Sequence, residues 1–429
     1  MEIIIIHYHL RKGGVSSIIK MQAESIHQYM EHTDFFLLTG ESSVEAPFYE
    51  YRHVSEKALN YLHKTNYTKD EIIKLRDDCI DILKPLMYKN TILHIHNLNL
   101  GKNPILTLAV NVLIHQGVRV VNHCHDFAED RPENMQFFKH FTDKLGISTK
   151  ELFYPNKRNV FYISLNSVDE KRLQNEGIPS HQVQRLFNPV NFPENAPDPF
   201  VAKQKIIQTF QLDKEKLIFI YPVRAIRRKN IAEFILLCAL FKEYGCFLIT
   251  LPPENPEEIM DYVDWKFFCK AQQIPVIFEA GLNMKFETII AGADKCLTTS
   301  IREGFGMVFV EPWIYQTEVF GRRLNNIVQD LETQDLKYPG LYDRIIVTSE
   351  NLDFADCSND LKKEIILNVL ENREERKRFL ETNPDLEKLL EKPDWELIKH
   401  NRDKVLDHFS EENFSKQLYA IYQQLIQAK

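Results

Sequence analysis

Met1-Glu2-Ile3-Ile4-Ile5-Ile6-His7-Tyr8-His9-Leu10-Arg11-Lys12-Gly13-Gly14-Val15-Ser16-Ser17 opens the chain. Ile3 to Ile6 form a short β-branched run, closed by polar residues and then by two glycines. That pattern predicts a buried strand. Residues 15 to about 31 follow with helical spacing. The same strand-turn-helix unit recurs downstream. Thr33 to Thr39, Thr91 to His96, Val118 to Cys124 and Val160 to Ser164 predict further buried strands, and 69–87 and 103–116 predict helices between them. Alternation of this kind implies βαβ units and a parallel sheet.

The alternation breaks once. Asn188-Pro189-Val190 leads into Phe192-Pro193-Glu194-Asn195-Ala196-Pro197-Asp198-Pro199, four prolines in eleven residues. Proline on this scale ends both helix and strand, so the stretch predicts a linker. The alternation then restarts with predicted strands at Leu217 to Tyr221, Cys246 to Leu251, Pro275 to Phe278 and Lys295 to Thr298. Predicted helices fall at 230–243, 255–272 and 306–316, and the chain is charged and mostly helical from about 351. The expected architecture is α/β: two Rossmann-like, doubly wound domains facing a cleft, with a helical C-terminal segment. The expected domains are 1–190 and 201–405, joined by a hinge at 191–200. A terminal helix within 406–429 is expected to pack back on the first domain. In open sheets of this type ligands bind beyond the carboxyl ends of the strands.

Composition narrows the function classes. The 429 residues exceed what one core usually supports. A net charge of −8 argues against a nucleic-acid binder and disfavours a membrane-surface protein. No apolar run approaches the roughly 18 residues of a membrane span. No leader pattern precedes Ile3. The seven cysteines are scattered without a Cys-x-x-Cys pair. A cytoplasmic protein without a disulfide framework or zinc site is expected.

Three loops carry candidate chemistry. Gly13 and Gly14 sit between the first strand and its helix, where backbone N–H groups and the helix start favour an anion. Tyr221-Pro222-Val223-Arg224-Ala225-Ile226-Arg227-Arg228-Lys229-Asn230 ends the first strand of the second half. Arg224 and Lys229, five apart across a turn, suit a diphosphate; Arg227 and Arg228 suit a solvated basic turn. The third loop is Thr299-Ser300-Ile301-Arg302-Glu303-Gly304-Phe305-Gly306-Met307-Val308-Phe309-Val310-Glu311. Its carboxylates can accept from paired sugar hydroxyls, and its N–H groups suit a phosphate. Glu311 is expected about one and a half turns into a helix, and burial in so apolar a run requires a partner. His94-Ile95-His96-Asn97 and Asn122-His123-Cys124-His125-Asp126 end two strands of the first half. A metal site and a set of packed polar residues are both open for these histidines. Arg131, in the loop after Asp126, could bind an acceptor carboxylate or phosphate, or lie on the surface.

These motifs together resemble those of the family 4 retaining glycosyltransferases of GT-B fold. That family carries an Arg-x4-Lys pair and an E-G-F-G-x-x-x-x-E motif, here Arg224 with Lys229 and Glu303 with Glu311. The stretch from Ile163-Ser164-Leu165-Asn166-Ser167 through Gly177-Ile178-Pro179 to Phe187-Asn188-Pro189-Val190-Asn191 is similar to its segment before the hinge. The resemblance covers roughly residues 1–320 and the final helix. It implies an acceptor-side first domain and a nucleotide-sugar-binding second one. A hexose would move from a nucleotide diphosphate sugar to a hydroxyl of a small molecule or glycan, with retention, and without a cofactor or metal. Gly13 and Gly14 match the loop at the donor phosphates, and Arg224 and Lys229 the cations on the leaving diphosphate. Glu303 matches the carboxylate near the sugar, and Glu311 the one on the ribose. Gly304, Phe305, Gly306 and Met307 match the loop lining sugar and phosphate, and His125 the histidine beside the reacting sugar. The same fold and donor site would serve an epimerase, hydrolase or phosphorylase, or a silent binding protein. The chain departs from the family after Glu311, where Pro312-Trp313-Ile314-Tyr315 replaces small residues and a Gly-x-Pro-Val run. The donor's base and sugar are thereby left open.

Overall fold

The computed structural model describes residues 1–427 except 12, 43–47, 49 and 348–350. The chain divides into two compact units, Met1–Asn191 with Phe409–Lys429, and Phe192–His408. The first unit runs β1 (Glu2–His7), α1 (Gly14–Tyr29), β2 (Asp34–Thr39), β3 (His53–Ser55), α2 (Lys69–Leu83), β4 (Thr91–His96) and α3 (Pro104–His115). It continues with β5 (Arg119–Cys124), α4 (Pro132–Leu145), α5 (Thr149–Phe153), β6 (Val160–Ser164), α6 (Ser167–Asn175) and β7 (Val183–Arg185).

The second unit opens with α7 (Pro199–Phe210), so a helix begins at the last proline of the expected linker. Asp198 caps it and Pro199 takes its first turn, where a missing N–H costs nothing. There follow β8 (Leu217–Arg224), α8 (Ile231–Phe241), β9 (Gly245–Leu251), α9 (Pro256–Ala271), β10 (Val276–Ile277), α10 (Phe286–Ala291) and β11 (Lys295–Thr298). Then come α11 (Glu311–Ile314), β12 (Glu318–Arg322), α12 (Asn325–Glu332), β13 (Leu341–Tyr342), a hairpin of β14 (Ile346–Val347) and β15 (Leu352–Asp353), α13 (Asn359–Glu371), α14 (Arg373–Thr382) and α15 (Trp395–Phe409). The chain re-enters the first unit through α16 (Glu411–Gln427). Among the described residues no helix is long and apolar enough to cross a membrane.

The first sheet is ordered β3-β2-β1-β4-β5-β6-β7 and the second β10-β9-β8-β11-β12-β13, with every pairing parallel. Order reverses between β1 and β4 in one sheet and between β8 and β11 in the other. These are the switch points at which doubly wound folds bind ligands. Both faces of the first sheet are covered. Ile4 and Ile6 of β1 enter one cluster with residues of α2 and α3, while Ile3 and Ile5 enter another with Ile19, Ile26, Phe414, Leu418 and Ile421 from α1 and α16. Two-sided burial is why these strands read as near-continuous apolar runs.

Two expectations need correction. Residues 306–316 do not form one helix. Gly306 is left-handed (φ 82°), a 3-10 turn covers Met307–Phe309, and α11 starts afresh at Glu311 with Pro312 in its first turn. Proline lacks the N–H that a continuing helix would need there, so Glu311 is an N-terminal residue and not one and a half turns inside. Beyond it, Glu318–Arg322 form the buried strand β12, which the apolar pattern did not signal. Its Gly321 has φ 141°, and a Cβ there would sit 1.9 Å from the Thr298 carbonyl oxygen.

Candidate functional site

In the second unit the candidate residues gather at the β8/β11 switch point. Arg224 ends β8, a 3-10 turn at Arg227–Lys229 leads into α8, and the 299–306 loop leaves β11. Backbone bonds fasten the two loops: Ile301 N–H donates to the Arg228 carbonyl at 2.9 Å, and the Thr299 hydroxyl donates to the Lys229 and Asn230 carbonyls. The Tyr221 hydroxyl, from inside β8, donates to the Lys229 carbonyl at 2.7 Å and lies 2.9 Å from Ser300 Oγ.

Glu303 is the hub. Its side chain is only 7% exposed. Oε1 accepts from Lys229 Nζ and, at 2.7 Å, from the Ser300 hydroxyl; Oε2 accepts from Arg228 Nη1 at 2.8 Å. Burial pushes this carboxyl up, but the charges of Lys229 and Arg228 and the hydrogen bonds outweigh it and hold it below the usual range. Burial lowers the Lys229 ammonium, against the pull of Glu303. Arg224 is engaged separately, with Nη1 2.7 Å from Glu254 Oε1 and 3.1 Å from the Pro252 carbonyl. The structure thus joins Lys229 to Glu303, 74 positions away, and gives Arg224 a different acid. Arg228, expected as a solvated turn residue, is a full partner of Glu303. Arg227 fits that expectation better: its N–H donates to Glu258 at 2.9 Å and its guanidinium lies mostly in solvent.

Glu311 is the electrostatic opposite of Glu303. The partner expected for it is missing: its carboxylate makes no hydrogen bond or ion pair with a described residue. Burial, reinforced by nearby Glu287, pushes its carboxyl up to about 7. The segment before it is tightly built. Phe305 and Gly306 are buried, and the Phe309 carbonyl accepts from Trp313 Nε1 and the Tyr338 hydroxyl at 2.9 and 2.6 Å. Bulky residues after Glu311 therefore wedge the loop in place.

In the first unit Gly13 precedes α1 and, having no side chain, leaves the helix start uncapped; no acid lies in the first turn. A Cβ on Gly14 would meet nothing within 4 Å. Packing in this chain does not require glycine there. Lys12 of the same motif lies outside the described residues.

The histidines form one array. Residues two apart on a strand share a face, so Ile3, Ile5 and His7 of β1, Ile92, His94 and His96 of β4, and Val121 and His123 of β5 all point towards α1 and α16. On this face aliphatic side chains give way to imidazoles near the carboxyl ends of the strands. Register sets His96 opposite His123. His94, His96 and His123 offer ring nitrogens within 4.8 Å of one another and are the residues that could hold a metal. Each is instead hydrogen-bonded: His94 Nε2 to His123 Nδ1 (3.2 Å), His94 Nδ1 to Tyr422 (2.8 Å), His96 Nε2 to Gln22 (2.7 Å) and His96 Nδ1 to His125 Nε2 (2.8 Å). Burial holds His7 and His94 down at about 3 and His125 at about 4, and pushes His96 and His123 well below the ordinary value. All five are neutral imidazoles at neutral pH. Arg131 is tied to Asp126 at 2.7 Å.

Sequence reasoning missed several members. His7 carries the same period-two signal as His94 and His96 and was findable. Gln22 and Tyr422 were not, because nothing in a single sequence links positions 400 apart. The buried set Glu233, Arg322, Asp353 and Tyr342 was also missed. Arg322 binds Glu233 at 2.6 Å and Asp353 at 2.7 Å, and so lets β12 carry a cation inside the core.

No family model matches the chain. Mannosylglucosyl-3-phosphoglycerate synthase of Petrotoga mobilis is 27% identical over 390 residues, covering 88% of this chain and 74% of that protein. The structure of Anabaena Alr3699/HepE in complex with UDP and glucose superposes with a TM-score of 0.63 at 11% identity, over 99% of both chains. A glycosyltransferase from Rickettsia africae gives 0.63 at 13% identity, over 100% of this chain and 99% of that one. WaaG, a glycosyltransferase involved in lipopolysaccharide biosynthesis, gives 0.56 at 11%, over 98% and 99%. The two parallel-sheet domains and helical C-terminus are therefore the GT-B fold, and in fold and sequence alike the chain is similar to glycosyltransferases.

Proposed function

We propose that this chain is a cytoplasmic, retaining glycosyltransferase that moves a hexose from a nucleotide diphosphate sugar to a hydroxyl acceptor without a metal ion. The observation that carries this function is the contrast between its two glutamates. Glu303 is held ionised by Lys229 and Arg228, while Glu311 is left unpaired with its carboxyl raised to about 7. An unpaired, half-buried carboxyl is costly unless a ligand completes it. Vicinal ribose hydroxyls, two donors side by side, would do so.

In this reaction the bond from the anomeric carbon to the diphosphate breaks, and the bond to the acceptor oxygen forms on the same face. The acceptor proton passes to an oxygen of the departing diphosphate. Arg224 and Lys229 neutralise the charge that grows on that leaving group, and the uncapped N–H groups at Gly14 give the first unit a phosphate-binding helix start of its own. Glu303 and the backbone of Gly304 to Met307 orient the sugar from the second unit, and His125 is the residue of the first unit that the resemblance assigns to the sugar. The described cysteines are all unpaired, which suits a reducing compartment.

Uridine diphosphate glucose is the first donor to test, since the HepE structures hold UDP with glucose and UDP-glucose. GDP- and ADP-sugars complete the panel. Glycosylated phosphoglycerates head the acceptor panel, after the Petrotoga relative's name. The correct donor raises the melting temperature by mass action, and Arg224→Ala and Glu311→Ala remove that rise. The product keeps the donor's anomeric configuration by proton NMR, and EDTA leaves turnover unchanged. Donor binding intact in both variants, or an inverted product, would overturn the assignment.

A further inference from the structure

The histidine array contains a continuous hydrogen-bond chain whose direction is set by one amide. Gln22 lies on α1 and Tyr422 on α16, and both are fully buried. Gln22 Nε2 donates to the Tyr422 oxygen at 3.0 Å, while Gln22 Oε1 lies 2.7 Å from His96 Nε2. An amide oxygen can only accept, and a neutral imidazole has one N–H and one lone pair. His96 therefore carries its proton on Nε2 and is bare at Nδ1. His125 Nε2, 2.8 Å from that lone pair, must carry the proton of His125. The other arm runs the same way. The Tyr422 oxygen accepts from the amide, so its own proton goes to His94 Nδ1 at 2.8 Å, and His94 Nε2–H points at His123 Nδ1 at 3.2 Å. The chain ends at His123 Nε2, which is buried without a partner among the described residues. Turning the Gln22 amide would reverse every link at once, so no histidine in the chain chooses its tautomer independently.

A metal centre at His94, His96 and His123 competes poorly for the same nitrogens. Of the three, His96 and His123 stack, with centroids 4.9 Å apart and an interplanar angle of 29°, while His94 is tilted against both. Ligand lone pairs lie in the ring plane, so stacked rings direct them side by side and not onto one point. No carboxylate joins the set, and a divalent ion on neutral ligands in a fully buried site would carry its whole desolvation cost.

We infer that Gln22 and Tyr422 are positioning residues that hold His125 in the single tautomer protonated at Nε2, so that its Nδ1 meets the sugar as a hydrogen-bond acceptor. The role towards the sugar rests on the function proposed above; the tautomer does not. His125 Nδ1 has no partner among the described residues and is the free end of the chain. An acceptor fixed there accepts a hydrogen bond from a sugar hydroxyl and cannot donate one. Tyr422 of the C-terminal helix is thus linked through Gln22 and His96 to a histidine that follows β5.

The test uses the full-length protein labelled with 15N in histidine, with His125→Gln to assign the signal. Long-range 1H–15N spectra distinguish the two neutral tautomers directly. The wild type should show His125 protonated at Nε2 only, and Tyr422→Phe should show a mixture. With a working donor and acceptor, Tyr422→Phe should lower kcat on the order of tenfold while the donor KM stays within about twofold, because orientation and not affinity is lost. If Tyr422→Phe melts early, Gln22→Met removes the same control from the other helix. A mixed or Nδ1-protonated His125 in the wild type overturns the inference. So does an unchanged tautomer in both variants, or a stoichiometric transition metal that His94→Asn releases. If no sugar is transferred by any form, the spectra still decide the tautomer, and the failure belongs to the proposed function.

Discussion

At the scale of single residues the two glutamates make different demands. Glu303 has its charge answered by Lys229, Arg228 and Ser300 before any ligand arrives. Glu311 does not, and burial beside Glu287 raises it from 4.5 to about 7. The folded state therefore holds this proton more tightly than the unfolded chain. Between about pH 4.5 and 7 the unfolded chain has lost the proton and the folded one has not, so this group makes stability fall as pH rises. On the proposed function, donor hydroxyls would reverse the preference, because they would give hydrogen bonds to the carboxylate. Affinity for intact UDP-glucose should then rise about fivefold from pH 6 to 7 and level off above about pH 8, since up to one proton is released on binding. The buried histidines stay neutral across this range, His125 titrating at about 4, and do not mask the effect. Calorimetric titration at several pH values measures it, and Glu311→Gln should flatten the curve. A flat wild-type curve would remove Glu311 from the donor site. The spacing of Arg224, Lys229, Glu303 and Glu311 was legible in the sequence because motif and loop coincide. Arg228 was misjudged because its partner lies 75 positions away.

At the scale of elements, legibility followed chemistry. Strands with short runs buried at every position, such as Thr91 to His96 and Lys295 to Thr298, appear at the expected residues. β12 was hidden because Glu318, Gly321 and Arg322 interrupt its apolar pattern, each for a reason outside the strand. Glu318 meets Lys295 at 3.3 Å, Arg322 meets Glu233 and Asp353, and Gly321 clears Thr298. The glycines of two loops make a sharper point. Gly306 has φ 82°, and a Cβ would come within 2.8 Å of Phe309 and 3.2 Å of Ile327, so its glycine belongs to the fold. Gly14 faces open space at the start of a 16-residue helix, so its glycine belongs to whatever approaches. Gly14→Asp should leave the melting temperature unchanged or raise it slightly, since an acid in a first turn is worth about 0.3–1 kcal/mol. The same carboxylate should repel the donor phosphates and abolish the donor's thermal shift. Gly306→Ala should instead lower the melting temperature without donor. An early-melting Gly14→Asp, or one that binds donor normally, would show that the glycine pair is only a turn.

At the scale of the whole molecule, the first unit is discontinuous. Its chain leaves at Asn191 and returns at Phe409, and the Val190 N–H donates to the Phe409 carbonyl at 2.8 Å where the two segments meet. α16 then covers the same sheet face as α1. Phe414, Leu418, Ile421, Tyr422 and Leu425 are each no more than 3% exposed, and Arg119 of β5 donates to the Leu425 carbonyl at 3.0 Å. Burial of five such side chains contributes on the order of 10 kcal/mol, at about 1.5–3 kcal/mol each. That matches the whole net stability of a typical domain. α16 also supplies Tyr422 to the histidine array, and without it His94 and Gln22 keep buried polar atoms with no partner. A chain ending at Ser410 should therefore lose the first unit and keep the second, whose sheet and core draw on residues 192–408 alone. Hydrogen exchange read by mass spectrometry distinguishes the outcomes: amides of β1, β4 and β5 should exchange within the experimental dead time, while those of β8, β9 and β11 stay protected. Protection retained in β1 and β4 would mean that α1 and the strands hold that face together by themselves. The 19-residue tail would then serve the imidazoles and not the fold, and its removal should alter the His125 tautomer in a first unit that remains folded.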